Sequence, residues 1–435
     1  MPFGFPYKSI EDIYRDNSSL PYPLPQPGDP SILLKPVQGM GFALHNALAI
    51  QPMEACDSDP GGAPTDWTLR RYRRFAEGGA GLIWVEAVAV SIPSRANPNQ
   101  LMITEENLPA FRAMCEMIHE AAASVGHPRP MVVVQLTHSG RFSKPGENKE
   151  PIRAWTSPVL DTHQQLPDDW PIVSDEELAE LPALFAKSTR LCREAGFDGV
   201  DVKACHLYLL NELLSAYDRP APYGGSYENR TRVYFQCVEA CKAELREGIL
   251  AARVNLYDGA AAPWGVGENL SLNLDEPLKM VRDLRDREVT LLNITMGTPY
   301  YNPHVNRPYA SGGYEPPEQP LVGVGRLLYG CARAQEEAPE MVCVATGAGY
   351  LRHFAPEILA GLIGRGGATV AGFGRGGFAY PNFANDLMKT GAMQPSKCCL
   401  TCGLCTKIMR AGGRAGCPVR DAEWYKPELK RVTGE

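Results

Sequence analysis

The residues that could do chemistry begin near the end of the chain, in the run Cys398-Cys399-Leu400-Thr401-Cys402-Gly403-Leu404-Cys405, followed after eleven residues by Cys417-Pro418. Cys399, Cys402, Cys405 and Cys417 are the candidate ligands of one inorganic centre. Two-residue gaps turn the chain back so that successive thiolates point at a common centre, and the wider gap brings the fourth from the far side. Four thiolates suit either an iron–sulfur cluster or a structural zinc. Zinc sites usually pair C-x2-C with a second two-ligand pair, whereas three close cysteines plus a distant one before Pro lean towards a [4Fe–4S] cluster. Free thiols are the third reading. Cys398 is spare, and could replace Cys399 with a three-residue gap.

A second constellation is Lys203, His206 and Tyr208. Two cationic or N–H donors beside a phenol can polarise a carbonyl oxygen and deliver a proton. Gln135 and Arg253 suit a planar polar ligand, the amide and guanidinium reading ring nitrogens and carbonyls. Either taken singly reads first as a buried salt-bridge partner. The glycine turns Thr346-Gly347-Ala348-Gly349 and Phe373-Gly374-Arg375 present backbone N–H groups at helix starts, beside an arginine, as a phosphate site does. A phosphate tail plus a heteroaromatic head describes flavin mononucleotide (FMN).

These residues need a frame that brings them together. Short apolar runs at 47–51, 82–86, 131–136, 199–203, 250–255, 290–295, 342–346 and 369–373 read as strands. They alternate with helical segments at 66–77, 105–124, 175–194, 229–247, 276–286, 323–336 and 356–363; Ser174-Asp175-Glu176-Glu177 is a capping box. Eight strands alternating with helices predict an α/β fold of the (β/α)8 TIM-barrel type. A doubly wound sheet would want Gly-x-Gly-x-x-Gly after its first strand, where this chain has Gln51-Pro52-Met53-Glu54. In a barrel, every candidate above except the cysteines falls at a carboxyl end of a strand, where active sites lie, and the two glycine turns follow strands seven and eight, the usual phosphate position. The predicted layout is a Pro-rich extended arm at 1–40, the barrel at 41–392 and a Cys-rich extension at 393–435, with an insertion at 137–173 lying over the barrel mouth as a lid.

Composition narrows the rest. The chain has 435 residues, 44% hydrophobic and 21% charged, and a net charge of −7. No basic stripe suits nucleic acid. No apolar run nears the roughly 18 residues of a membrane span. The start lacks a secretory pattern, so a cytoplasmic location is expected. In that compartment the thirteen cysteines are thiols or ligands rather than disulfides.

The chain resembles the old yellow enzyme family, in the branch related to 2,4-dienoyl-CoA reductase and trimethylamine dehydrogenase, from about residue 28 to 420. The resemblance rests on Gln51-Pro52-Met53, Gln135 to Arg141, Ala195 to Val200, Tyr223-Gly224-Gly225-Ser226-Tyr227-Glu228-Asn229-Arg230 and Gly374-Arg375, in that order. It implies FMN across the barrel mouth: Pro52, Met53 and Ala87 lining the ring, Gln135 on its pyrimidine edge, Arg253 near N1 and the C2 carbonyl, and Gly347, Gly349, Gly374 and Arg375 on the phosphate. It also implies hydride transfer to an activated alkene of an α,β-unsaturated carbonyl compound, with Tyr208 as proton donor.

The family usually has His-x-x-His or His-x-x-Asn where this chain has Lys203-Ala204-Cys205-His206, and a glycine where it has Leu207. Substrate choice is therefore where this chain is expected to differ. In that branch the cysteine run holds a [4Fe–4S] cluster, zinc remaining the alternative. Electrons are expected from NADH or NADPH, or from an external electron-transfer protein docking near the cysteines; homo-oligomers are compatible with either. Two rivals remain: an amine or demethylating dehydrogenase passing electrons out through the cluster, and a flavoprotein with a structural zinc.

Overall fold

The computed structural model describes residues 4–434. Its strands are β1 (Val37–Gly39), β2 (Phe42–Leu44), β3 (Leu48–Ile50), β4 (Leu82–Ala89), β5 (Met131–Thr137), β6 (Gly199–Val202), β7 (Ile249–Asn255), β8 (Leu291–Thr295), β9 (Val342–Ala345) and β10 (Val370–Phe373). The last eight close into a barrel in the order β10-β3-β4-β5-β6-β7-β8-β9, every neighbour parallel. This is the (β/α)8 barrel expected from the alternation of apolar runs and helices. All of its strand residues are buried, as parallel strands must be when side chains fill the interior and helices cover the outside.

The antiparallel hairpin β1–β2 plugs the amino-terminal end of the barrel. Its Val37 and Leu44 pack with Ala49, Leu82, Trp84, Met131 and Val133 in a core separate from the main one. Helices Asp66–Glu77 and Asp175–Glu194 have the expected bounds. The second opens on a complete capping box, Ser174 Oγ accepting from Glu177 N and the Glu177 carboxylate accepting from Ser174 N. The helix expected from 105 starts at Leu108: the Asn107 side chain accepts from Thr104 N, holding a turn ahead of it, and Pro109 is tolerated in a first turn.

The arm is not extended throughout. Ile10–Asn17 is helical, and Pro30–Leu34 forms a 3-10 turn; residues 1–3 of the arm lie outside the described residues. The insertion carries its own short helix, Pro158–Gln164. Arg141 binds it down, donating Nε to Glu212 at 2.9 Å and pairing with Asp161 at 2.5 Å. Beyond the barrel, helices Leu404–Arg410 and Ala422–Thr433 form the Cys-rich extension. It is tied to helix Asp66–Glu77: Asp421 accepts from Arg70 at 2.8 and 2.9 Å and pairs with Arg74, and Trp67 packs edge-on against Trp424 at 4.8 Å. No described helix is long and apolar enough to cross a membrane.

Candidate functional site

At the carboxyl ends of the strands lies an open cleft enclosing about 1260 Å³, part of it open to solvent. Pro52, Met53, Ala87, Gln135, Lys203, His206, Tyr208, Arg253, Gly347, Gly349, Gly374 and Arg375 all line it. The barrel thus brings together candidates spread over more than 300 positions.

The floor has polar groups left over. Gln51 accepts from Asn293 Nδ2 at 2.6 Å, but its own Nε2 is buried without a partner, as is Arg253 Nε. Orphaned buried donors are rare in folded proteins and signal a missing acceptor. Gln135 gives one amide N–H to Asp201 at 2.6 Å, which leaves its oxygen and its second N–H for a ligand. Asp201 also accepts from Trp84 Nε1 and Arg253 N; burial pushes its pKa up to about 6 against these donors.

The corner after β9 and β10 has the geometry of an anion cradle. Gly347 sits at φ +93°, starting one helical turn, and Gly374 starts another. A Cβ on Gly374 would come within 3.0 Å of Met53 Sδ, so the backbone there stays bare. Arg375 lies beside it on the cleft. A planar heteroaromatic with a phosphate tail fits this donor set: unsatisfied N–H groups at one end, bare backbone and a guanidinium at the other.

On the opposite side Lys203, His206 and Tyr208 follow β6. His206 and Leu207 both adopt left-handed backbone, at φ +66° and +58°. The turn is held by Asn211, whose Oδ1 accepts from Leu207 N at 2.7 Å, and by Thr298, which donates to His206 O at 2.9 Å. Asn306 Nδ2 lies 3.1 Å from His206 Nε2 and also from Thr295 Oγ1 and Met296 O. With an amide N–H on Nε2, the ring proton belongs on Nδ1. Burial, helped by Arg253 and Lys203, pushes the imidazole well below its usual range. His206 is therefore a neutral N–H donor, not a cationic one. Burial also lowers Lys203 from the ordinary lysine range, while Glu54 opposes the shift.

Two residues without a role in the sequence reading complete this wall. Tyr208 Oη lies 3.0 Å from Tyr300 Oη and 3.5 Å from Glu54 Oε2. Tyr300 stacks on Phe142 of the insertion at 3.9 Å between centroids. Burial first, then Tyr300 and Glu54, raise Tyr208 well above the usual phenol range, so it stays protonated.

Cys399, Cys402, Cys405 and Cys417 together line a smaller chamber of about 360 Å³. Arg375, Phe378, Cys399, Thr401 and Cys405 face both this chamber and the cleft. Cys398 turns away, its thiol donating to Gln394 O at 3.4 Å. Among the described residues, no three His, Cys, Asp or Glu side chains converge tightly enough to grip a single ion. Arg307, on the loop after β8, donates to Thr406 at the seam between the two spaces.

Comparison with known proteins agrees with this architecture. The NADPH dehydrogenase of Geobacillus sp. (strain WCH70) is 28% identical over 273 residues, 61% of this chain and 73% of that one. Among solved structures, 2-naphthoyl-CoA reductase in complex with 2-naphthoyl-CoA superposes with a TM-score of 0.73 at 18% identity. It covers 92% of this chain, which spans only 58% of that longer one. The old yellow enzyme homologue from Zymomonas mobilis gives 0.63 at 20% identity, over 84% of this chain and 94% of the other. These two likenesses concern the fold. Residues 32–327 match the model of the NADH:flavin oxidoreductase / NADH oxidase family, and with a barrel whose cleft fits a flavin, the chain belongs to that family of flavin-dependent oxidoreductases.

Proposed function

We propose that the protein is an FMN-dependent reductase of the activated C=C bond of α,β-unsaturated carbonyl compounds, in the branch related to 2,4-dienoyl-CoA reductase, with a [4Fe–4S] cluster relaying electrons to the flavin. The observation that carries this reading is the wall shared by Arg375, Phe378, Cys399, Thr401 and Cys405, which sets the four-cysteine chamber against the cleft.

When bound, FMN would supply a hydride from N5. Pro52, Met53 and Ala87 would line its ring, Gln135 would accept from its pyrimidine edge, Arg253 would stabilise negative charge near N1 and C2, and Gly347, Gly349, Gly374 and Arg375 would hold the phosphate. Gln51 Nε2, also unpartnered, adds a donor to this set. On the substrate side, the His206 N–H and the Lys203 ammonium polarise the carbonyl oxygen, where charge develops as the β-carbon is reduced. Tyr208 delivers its proton to the α-carbon. Burial holds its pKa above the usual phenol range, which keeps that proton in place until a carbanion is available.

A cubane cluster is gripped by thiolates that stand apart around it, not by thiolates meeting at a point. Four cysteines lining one chamber give such a cluster its four ligands, and their spacing, three close cysteines and one distant, is what sets it before zinc. The rival amine dehydrogenase draws on the aromatic wall of Phe142, Tyr208 and Tyr300, which could face a cation. Lys203 already occupies that role, with its Nζ 3.7 Å from the Tyr208 ring centroid, and repels an ammonium substrate.

Anaerobic mixing separates the two readings. Reduced holoenzyme is reoxidised by 2-cyclohexenone in the first, whereas oxidised holoenzyme is reduced by an amine in the second. Iron and acid-labile sulfide at about four per chain support the cluster, and Cys402→Ser should lose both while keeping flavin absorbance. Zinc at about one per chain, with no iron, would overturn the cluster.

A further inference from the structure

We infer that Glu54 is the residue that returns a proton to Tyr208 after each turnover, so that the reductase proposed above has a two-step proton path from solvent through Glu54 to Tyr208. The inference rests on that reading of Tyr208.

Glu54 follows the Pro52-Met53 turn at the end of β3 and lines the cleft, half-buried. Its two oxygens are divided. Oε1 accepts from Asn97 Nδ2 at 2.5 Å, and Oε2 faces the Tyr208 hydroxyl at 3.5 Å. A carboxyl fixed on one side by Asn97 and the Cys56 thiol is turned on the other to the Tyr208 phenol, with which it can exchange a proton. Five other groups bear on it: Cys56 from its own loop, Glu86 from β4, Lys203 and Tyr208 from the end of β6, and Tyr300 from the loop after β8. Burial raises the Glu54 carboxyl from its ordinary range, against the pull of Lys203 and the hydrogen bonds from Asn97 and Tyr208. The acid form is thus more accessible than for a carboxylate in water.

The steps balance without any further reagent. The Tyr208 O–H bond breaks as a C–H bond forms at the substrate α-carbon, leaving a phenolate. The Glu54 O–H bond then breaks as the Tyr208 O–H re-forms, leaving a carboxylate beside the Lys203 ammonium. Glu54 regains a proton from water at the mouth of the cleft, which its half-buried position admits. Tyr300 is nearer, at 3.0 Å, but it is a phenol raised by burial and by Glu54, and so a weaker acid than the Glu54 carboxyl.

The test separates the first turnover from later ones, using holoenzyme reduced anaerobically with dithionite and 2-cyclohexenone as oxidant. Reduced methyl viologen in excess drives the steady state, so the outcome is independent of the natural electron donor. Glu54→Gln keeps the shape and a hydrogen-bond acceptor but carries no transferable acid proton. It should slow the first flavin reoxidation by no more than about threefold and the steady state by roughly tenfold or more. Formate should restore much of that loss, as it restores no purely structural defect. A steady state like that of the unsubstituted enzyme, a first turnover slowed as much as the later ones, or no rescue by formate overturns the inference. If Glu54→Gln does not fold, Asn97→Ala, which frees the carboxyl from its tether, should show the same split between first and later turnovers. Equal rates in both phases would overturn the role. Failure of the parent reading looks different: Tyr208→Phe then reoxidises as fast as the unsubstituted enzyme, whatever Glu54→Gln does.

Discussion

The Lys203 ammonium lies 3.7 Å from the centroid of the Tyr208 ring, with both side chains buried. A cation against an aromatic face stabilises electron density in that ring, so it favours the phenolate left when Tyr208 gives up its proton. In the proposed reduction, Lys203 would therefore act on Tyr208 as well as on the substrate. Lys203→Met should slow reoxidation of the reduced flavin by an enone roughly tenfold or more. Flavin affinity should change little. Anaerobic stopped-flow absorbance measures the first and fluorescence titration the second.

Asp258 links the turn after β6 to the rest of the barrel mouth. It accepts from Asn255 Nδ2 at 2.5 Å and from Asn211 Nδ2 at 3.2 Å, and Asn211 in turn holds Leu207 N. Burial raises the Asp258 carboxyl to about 8 against those hydrogen bonds. The folded state therefore binds this proton more tightly than the unfolded chain, whose aspartates titrate near 3.9. The contribution is fully present below about pH 4 and lost as pH rises through about 8, a change on the order of a few kcal/mol. Asp258→Asn should flatten that part of the pH profile. Thermal melts between pH 5 and 9 check it.

Leu207 adopts left-handed backbone, and its side chain is fully buried with Leu160, Ala261 and Ala262 under the insertion. Relief of its backbone strain is worth about 1–2 kcal/mol. Removing a buried leucine side chain costs about 2–5 kcal/mol. Packing wins, so Leu207→Gly should destabilise the protein by about 1–3 kcal/mol and loosen the insertion over the mouth. Chemical denaturation gives the first and limited proteolysis between residues 143 and 173 the second.

Arg375 has no carboxylate partner among the described residues and stands next to the bare backbone of Gly374. If it holds a phosphate, Arg375→Gln should weaken FMN binding about tenfold or more. Riboflavin, which lacks the phosphate, should bind both proteins equally. Equal losses for both ligands would instead mark a general distortion of the cleft.

The barrel and its strand-end residues were legible because each strand is a continuous apolar run bounded by turn residues, and because a barrel directs chemistry to one end of every strand. The missed residues lacked any such periodicity. Tyr300, Asn306 and Arg307 lie on the long loop after β8, and only closure of the barrel sets them beside His206, Tyr208 and Thr406. Glu54 was visible at the end of the first strand, but its partner Tyr208 is 154 positions away. The helix Ile10–Asn17 did have a local signal. Ser9 and Asp12 exchange capping hydrogen bonds, Asp12 N donating to Ser9 Oγ and Ser9 N to Asp12 Oδ2. The surrounding prolines masked it.

The extension that carries the cysteines also roofs the cleft. Cys399, Thr401, Cys405, Thr406, Met409 and Ala415 all line it, and Ala415 N donates to Ala55 O, next to Glu54, at 2.6 Å. A ribosome delivers these residues only after all eight barrel strands have emerged. The nascent barrel can therefore close and admit a small molecule while its mouth is still uncovered, and the same segment that brings the thiolates then shuts it. On the proposed function, a flavin would thus have its entry open before the cysteine-bearing segment arrives to cover it.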